Sequence, residues 1–167
     1  MATKLIPAEL EEMLESIRTP VIFSTVDDPP HATPMNWLWQ KGEQTFWFNP
    51  AGGSKKIVNM KKSPYVCFGT EECMEKKSRG FIVWGEITGF EYGLRGLLKN
   101  IRPKIRMLKK KSGINFFDPG VYKFWKTYAR HPDIHYSTLP WVAASVRVVP
   151  ERIVYHTENG VEKKVEF

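Results

Sequence analysis

Two cysteines in 167 residues are too few for a disulfide framework. Cys67 and Cys73 read as the free thiols of a cytosolic protein. No apolar run approaches the roughly 18 residues that a membrane-spanning helix needs. The first residues lead straight into a helix signal, with no secretory leader, so the expectation is a cytoplasmic chain. Two nucleotide-binding signatures are missing: there is no Gly-Lys-Ser/Thr P-loop, and no GxGxxG follows a strand. The histidines His31, His131, His135 and His156 lack metal-ligand spacing. His131 and His135 are four apart, but Pro132 spoils a helical pairing, and no metal is expected. No Ser-His-Asp or Cys-His relay follows from spacing, so no side chain is assigned a catalytic role. Internal repeats and low-complexity segments are also lacking.

Acid is missing from one segment. Residues 92–117 hold Arg95, Lys99, Arg102, Lys104, Arg106, Lys109, Lys110 and Lys111 with no Asp or Glu. The whole chain carries a net charge of +7, so removing these eight leaves the remainder at −1. The chain is a near-neutral domain with one basic insertion.

What is present reads as a single β-rich domain, with aromatics filling its core. Residues 7–17 form an amphipathic helix, with Leu10, Met13, Leu14 and Ile17 on one face and acids near its start. Strands follow at 21–26, at 31–41 (with Pro34 inside) and at 45–49. A proline within a strand marks an edge, a bulge or a backbone turned to a ligand. A helix over 54–62 precedes a strand at 65–70, a polar turn at 71–79 and a long strand at 80–91. Gly85 and Gly89 on that strand mark a bend or a close approach. Leu94, Leu97, Leu98, Ile101, Ile105 and Leu108 make one helical stripe, broken near Pro103, and 119–130 reads as a further helix. The chain closes with 141–149 and 152–156, a pair or one strand bent around Pro150, then an edge strand over 161–167. Short turns between strands exclude a doubly wound parallel sheet. The expected fold is mainly β with attached helices (α+β), a six-stranded antiparallel barrel with a basic helical insertion at about 92–130.

The loop between 49 and 56 carries the strongest chemical signal. Gly52 and Gly53 let backbone approach a ligand. Ser54 offers a hydroxyl at a helix start, where free N–H groups and the positive dipole end favour an anion. Lys55 and Lys56 add two cations. The arrangement suits a phosphate monoester; it also suits a plain capped helix with two solvated lysines.

Five stretches in order complete a pattern: Ala32-Thr33-Pro34-Met35, Phe46-Trp47-Phe48-Asn49, Ser54-Lys55-Lys56-Ile57-Val58-Asn59-Met60 with Ser63-Pro64-Tyr65-Val66, Gly80-Phe81-Ile82-Val83-Trp84-Gly85, and Val146 to Tyr155 with its Pro-x-Arg. Together they resemble the pyridoxamine 5′-phosphate oxidase-like FMN-binding split-barrel proteins over about 20–86 and 143–155. The resemblance implies a homodimer with FMN at the subunit interface. It implies that Thr33, Pro34, Met35 and Asn36 run beside the isoalloxazine. Phe48 and Asn49 would lie near the ribityl chain, and Ser54, Lys55 and Lys56 at the phosphate. Where Lys55 stands the family often has arginine, a bidentate fork rather than a point charge. The resemblance covers neither helix of the basic insertion.

The leading expectation is an FMN-dependent oxidoreductase of unnamed substrate, in which the flavin performs the transfer. The alternatives are a non-catalytic flavin or haem binding protein, a deazaflavin-dependent reductase whose acidic cofactor suits the basic segment, and a nucleic-acid or membrane interaction module using 95–111.

Overall fold

A computed structural model describes residues 6–17, 19–26, 29–48, 50, 54–75, 77–91, 145–158 and 160–167. Both helices expected within the basic insertion lie outside these residues.

Helix α1 (Ala8–Ser16) buries Leu10, Met13 and Leu14, the stripe its spacing predicts. The strands are β1 (Val21–Thr25), β2 (His31–Met35), β3 (Trp37–Gln40) and β4 (Thr45–Phe48), then helix α2 (Lys55–Lys62). They continue with β5 (Tyr65–Met74), β6 (Lys77–Glu91), β7 (Ser145–His156) and β8 (Glu162–Glu166). All pairings are antiparallel, in the order β2, β1, β5, β6, β7, β4, β3, with β8 added on β7. Among the described residues no helix is long and apolar enough to cross a membrane.

Two strands that follow each other in sequence sit at opposite ends of this order. β2 pairs with β1, Met35 opposite Val21. β3 pairs with β4, Trp37 opposite Phe48. Only Asn36 separates them, so the sheet must curl until its ends meet, and the covalent chain closes the barrel where no β2–β3 ladder does. The single strand expected over 31–41 is therefore two strands with a corner at Asn36. This split gives eight strands where a six-stranded barrel and the edge strand over 161–167, here β8, were expected.

Inside the curl, alternate residues of each strand converge. Phe23 and Phe68 stack at 5.7 Å, and Phe46 meets Phe68 edge-on at 4.9 Å. Trp37 meets Phe81 in the same way at 5.1 Å, while its indole N–H donates to the Thr19 carbonyl at 3.0 Å. Val83, Val148, Ile153 and Tyr155 complete this core.

One further expectation is corrected. Residues 71–79 are not a turn: β5 runs to Met74 and β6 starts at Lys77. The arm is polar because it projects past the end of β1. It is held by cross-strand pairs such as Arg79 Nη2 to Glu72 Oε2 at 2.8 Å and by Arg79 Nη1 donating to Ser16 Oγ at 3.1 Å. Of the two forms left open for the closing segment, a pair or one strand bent around Pro150, the structure has the single strand β7. Its β6 partner shifts register between Trp84 and Gly85, opposite Pro150. A Cβ on Gly85 would stand 2.5 Å from the Val149 carbonyl oxygen, so the glycine marks the close approach expected of it.

Candidate functional site

Barrel closure brings the two halves of the candidate site to one corner. Trp37 lies opposite Phe48, so Asn36 sits just beyond that ladder, beside the point where the chain leaves β4 for α2. Phe48 is fully buried in the core; it supports the corner from behind. Asn49, Gly52 and Gly53 lie outside the described residues.

On β2, Pro34 is exposed while Met35 is buried, and Asn36 at the corner is exposed. Thr33 is half-buried, and its Oγ1 is enclosed without a hydrogen-bond partner. β2 ends the sheet order, so its far edge is not laddered to any described strand. An edge strand presents backbone donors and acceptors, and Pro34 interrupts them.

On α2, Ser54 stands at the N-cap with extended backbone (φ −75°, ψ 153°). Its carbonyl accepts from the Ile57 N–H at 3.0 Å. Its hydroxyl makes no side-chain cap, although Ser54 is buried. The first N–H groups of a helix have no intrahelical partner, and none is taken up here by the N-cap side chain.

The two lysines, alike in sequence, part company. Lys55 is exposed. Lys56 is 5% exposed, and burial pushes its ammonium below the ordinary value of 10.5, with no opposing partner. Among the described residues no hydrogen bond or ion pair holds it. Lys56 shares a helix face with Asn59 and Met60, three and four residues on. Asn59 Nδ2 donates to Thr25 Oγ1 at 3.1 Å, and Thr25 Oγ1 donates to the His31 carbonyl at 3.3 Å. Lys56 thus lies one turn further along the face that α2 turns toward the β1–β2 hairpin. A buried ammonium without an anion is costly, and the enclosed Thr33 hydroxyl on β2 is a second unsatisfied group. Both fit a bound, polar, anionic group.

Sequence reasoning missed the difference between Lys55 and Lys56, although the stripe of Lys56, Asn59 and Met60 carried it. It also missed a second feature on the outer sheet face: the Arg152 guanidinium lies 3.8 Å over the Trp84 ring, with its Nε enclosed and unpartnered. Of the tryptophans among the aromatics expected to fill the core, Trp37 and Trp39 are buried, while Trp47 and Trp84 are half-buried. His131 and His135 lie outside the described residues. His156 Nε2 lies 3.4 Å from Ser78 Oγ, and no metal-binding group of three ligands occurs among the described residues. Cys67 and Cys73 are free thiols.

No family model and no curated protein matches the chain in sequence. Solved structures match it in fold. An FAD-binding protein from Mesorhizobium loti is 16% identical with a TM-score of 0.54, over 89% of this chain and 92% of that one. A Clostridium acetobutylicum protein of the pyridoxinephosphate oxidase family, related to general stress protein 26, is 16% identical with a TM-score of 0.53, over 95% and 92%. A haem-binding protein from Mycobacterium smegmatis is 13% identical with a TM-score of 0.57, over 98% of this chain and 60% of that one. The fold is the antiparallel split β-barrel, as the resemblance implied. These neighbours are flavin- or haem-binding proteins or members of the oxidase family.

Proposed function

We propose that this chain binds FMN, with the phosphate at the N-terminus of α2 and the ring along β2, and that it works as an FMN-dependent oxidoreductase. The observation that carries the reading is the buried, unpaired Lys56 ammonium on the helix face whose Asn59 bonds Thr25 of β1. A phosphate dianion would supply its missing counter-charge, with the Ser54 hydroxyl and first-turn N–H groups as further donors. Thr33 Oγ1 and the backbone at the unladdered edge of β2 would bond the polar rim of the ring, while Pro34 keeps part of that rim free of a donor. The flavin, when bound, supplies the hydride chemistry; the chain's own residues hold and orient it. A cytoplasmic setting suits the two free thiols.

The test is an absorbance spectrum of the purified protein, with quantitation of any FMN released. Flavin bands near one FMN per chain support the reading. Colourless protein that takes up no added FMN removes it. The likeness to a haem-binding protein supports a second reading, cofactor binding without turnover. A haem spectrum, or bound flavin that neither reduced nicotinamide nor reduced deazaflavin bleaches under anaerobic conditions, would favour it.

A further inference from the structure

One cation on the outer face of the barrel sheet has no acceptor. Phe68, Phe81, Val83 and Ile153 point inward, so their neighbours along each strand point out. The register sets Cys67, Trp84 and Arg152 in one row of this outer face, on β5, β6 and β7. The Arg152 guanidinium leans along the row. Its carbon stands 3.8 Å over the Trp84 ring, and its charge opposes the burial that pushes the Cys67 thiol up. Among the described residues none of its three nitrogens has a hydrogen-bond partner, yet only Nε is enclosed; the terminal pair is open to solvent. The acid that the register places opposite Arg152, Glu166 of β8, is ion-paired with Lys164 instead. Glu86, two residues along β6 from Trp84, is exposed, and no ion pair joins it to Arg152. Ile82 and Tyr65, in the rows to either side, are 45% and 56% exposed, and apolar exposure gathered on one sheet face marks an interaction surface.

We propose that Arg152 and the apolar rows beside it bind a small aromatic carboxylic acid in its ionised form. A guanidinium offers paired N–H donors that match the two oxygens of a carboxylate. Trp84 holds this one in place before a ligand arrives, which lowers the ordering cost of binding. With Glu166 taken by Lys164, Arg152 is the uncompensated cation of its row, and a single negative charge balances it. Glu86 limits the charge a ligand can carry, since its carboxylate repels the second charge of a phosphate ester. The ligand's body follows from the floor of the site. A sheet face is shallow, so a planar ring covers more of Ile82, Tyr65 and Trp84 than a bulky group does. That apolar contact supplies the affinity that one charge pair at a wet surface does not. The site is argued from the sheet face alone and does not rest on the flavin reading.

Isothermal titration of the full chain with naphthoate tests it. The expected result is one naphthoate bound per chain, with the neutral naphthylmethanol and the dianionic naphthyl phosphate both weaker. Arg152→Met should weaken naphthoate about tenfold or more, the size of a lost hydrogen bond to a charged group. Arg152→Lys, which keeps the charge and loses the fork, should fall between. Glu86→Gln should narrow the gap between naphthyl phosphate and naphthoate. Bound naphthoate should also slow alkylation of Cys67, in the same row, while the exposed Cys73 reacts as before, which mass spectrometry of the labelled peptides reads. Far-UV circular dichroism of Arg152→Met separates a lost site from a lost fold; if that variant is unfolded, Arg152→Lys decides, and unchanged affinity there overturns the proposal. A chain that binds no naphthoate at millimolar concentration overturns it, as does binding that a folded Arg152→Met leaves unchanged. Naphthyl phosphate bound as tightly as naphthoate overturns the carboxylate assignment. Released FMN is read separately, so a chain that binds naphthoate and no FMN keeps this site and loses the flavin reading, and the opposite result does the reverse.

Discussion

The buried Asn59 amide donates to Thr25 Oγ1 at 3.1 Å, and this bond sets which face of α2 is turned to the β1–β2 hairpin. Thr25 passes the link on to the His31 carbonyl, at the first residue of β2. Asn59→Ala deletes the donor and leaves a small void beside the Thr25 hydroxyl. The expected cost is about 1–3 kcal/mol in urea unfolding. FMN affinity should fall with it, because the turn carrying Lys56 loses its anchor. Unchanged affinity in a folded Asn59→Ala chain would detach the helix position from the site.

Lys56 should trade stability for binding. In the chain without ligand its ammonium is buried and uncompensated, and burying an unpaired charge costs stability that an apolar side chain of similar length does not. Lys56→Met is therefore expected to unfold at higher urea than wild type when FMN is absent, and to bind FMN far more weakly. Lys55→Met, at the exposed neighbour, should change stability little. The pH dependence follows from the same burial. The folded-state pKa lies below the ordinary 10.5, so between the two values the unfolded chain holds more protons and stability rises with pH. The wild-type deficit relative to Lys56→Met should shrink as pH climbs from neutrality toward 10.5. A difference between the two chains that does not vary with pH would contradict the assignment.

How much of this was legible in the sequence depended on whether a segment faces the core. α1, β1, β4 and α2 announce themselves through apolar spacing because each has one buried face. The arm over 71–79 has none: its strands are held by Glu72, Arg79 and Ser16 rather than by packing, so its composition reads as a turn. The corner at Asn36 was hidden for another reason. The in-out alternation of Met35, Asn36 and Trp37 runs through it unbroken, and only the identity of the pairing partner changes. The anion site was legible as composition, in Ser54, Lys55 and Lys56. The helix face that separates Lys56 from Lys55 was legible only as the stripe of Lys56, Asn59 and Met60; that this face meets Thr25 is a long-range contact that local sequence does not state. Arg152 over Trp84 joins residues far apart in the chain through the register shift at Gly85, beyond the reach of local pattern.

The latch between α1 and the last strands should respond to acid. Glu9 accepts from Lys163 Nζ at 2.7 and 2.8 Å and from Tyr155 Oη at 2.8 Å. The Lys163 hydrogen bond, then that of Tyr155, holds its carboxyl below the ordinary 4.5. A depressed carboxyl contributes stability that is present above its unfolded pKa and lost as pH falls through the folded one. Glu9→Gln should therefore flatten part of the acid limb of the stability curve below about pH 4.5. Tyr155, pushed up to about 12 by burial and then by Glu9, works in the opposite range: its contribution is lost as pH rises from 10 toward 12. An absorbance titration of phenolate formation should show one late tyrosine near 12, absent in Tyr155→Phe.

Gly85 should be the least replaceable glycine of β6. It lies at the register shift opposite Pro150, and an added Cβ would meet the Val149 carbonyl oxygen at 2.5 Å and Val148 Cγ1 at 2.9 Å. The nearest atom is backbone, so no rotamer change relieves it, and β6 and β7 must separate locally. Gly85→Ala is expected to destabilise by about 1–3 kcal/mol, the usual cost of overpacking. Gly42→Ala is the control, since an added Cβ there meets nothing within 4 Å. The same separation would move Trp84 relative to Arg152, so tryptophan fluorescence should shift in Gly85→Ala while Gly42→Ala leaves it unchanged. Equal stability in the two variants would show that the bulge, not the missing side chain, absorbs the close approach.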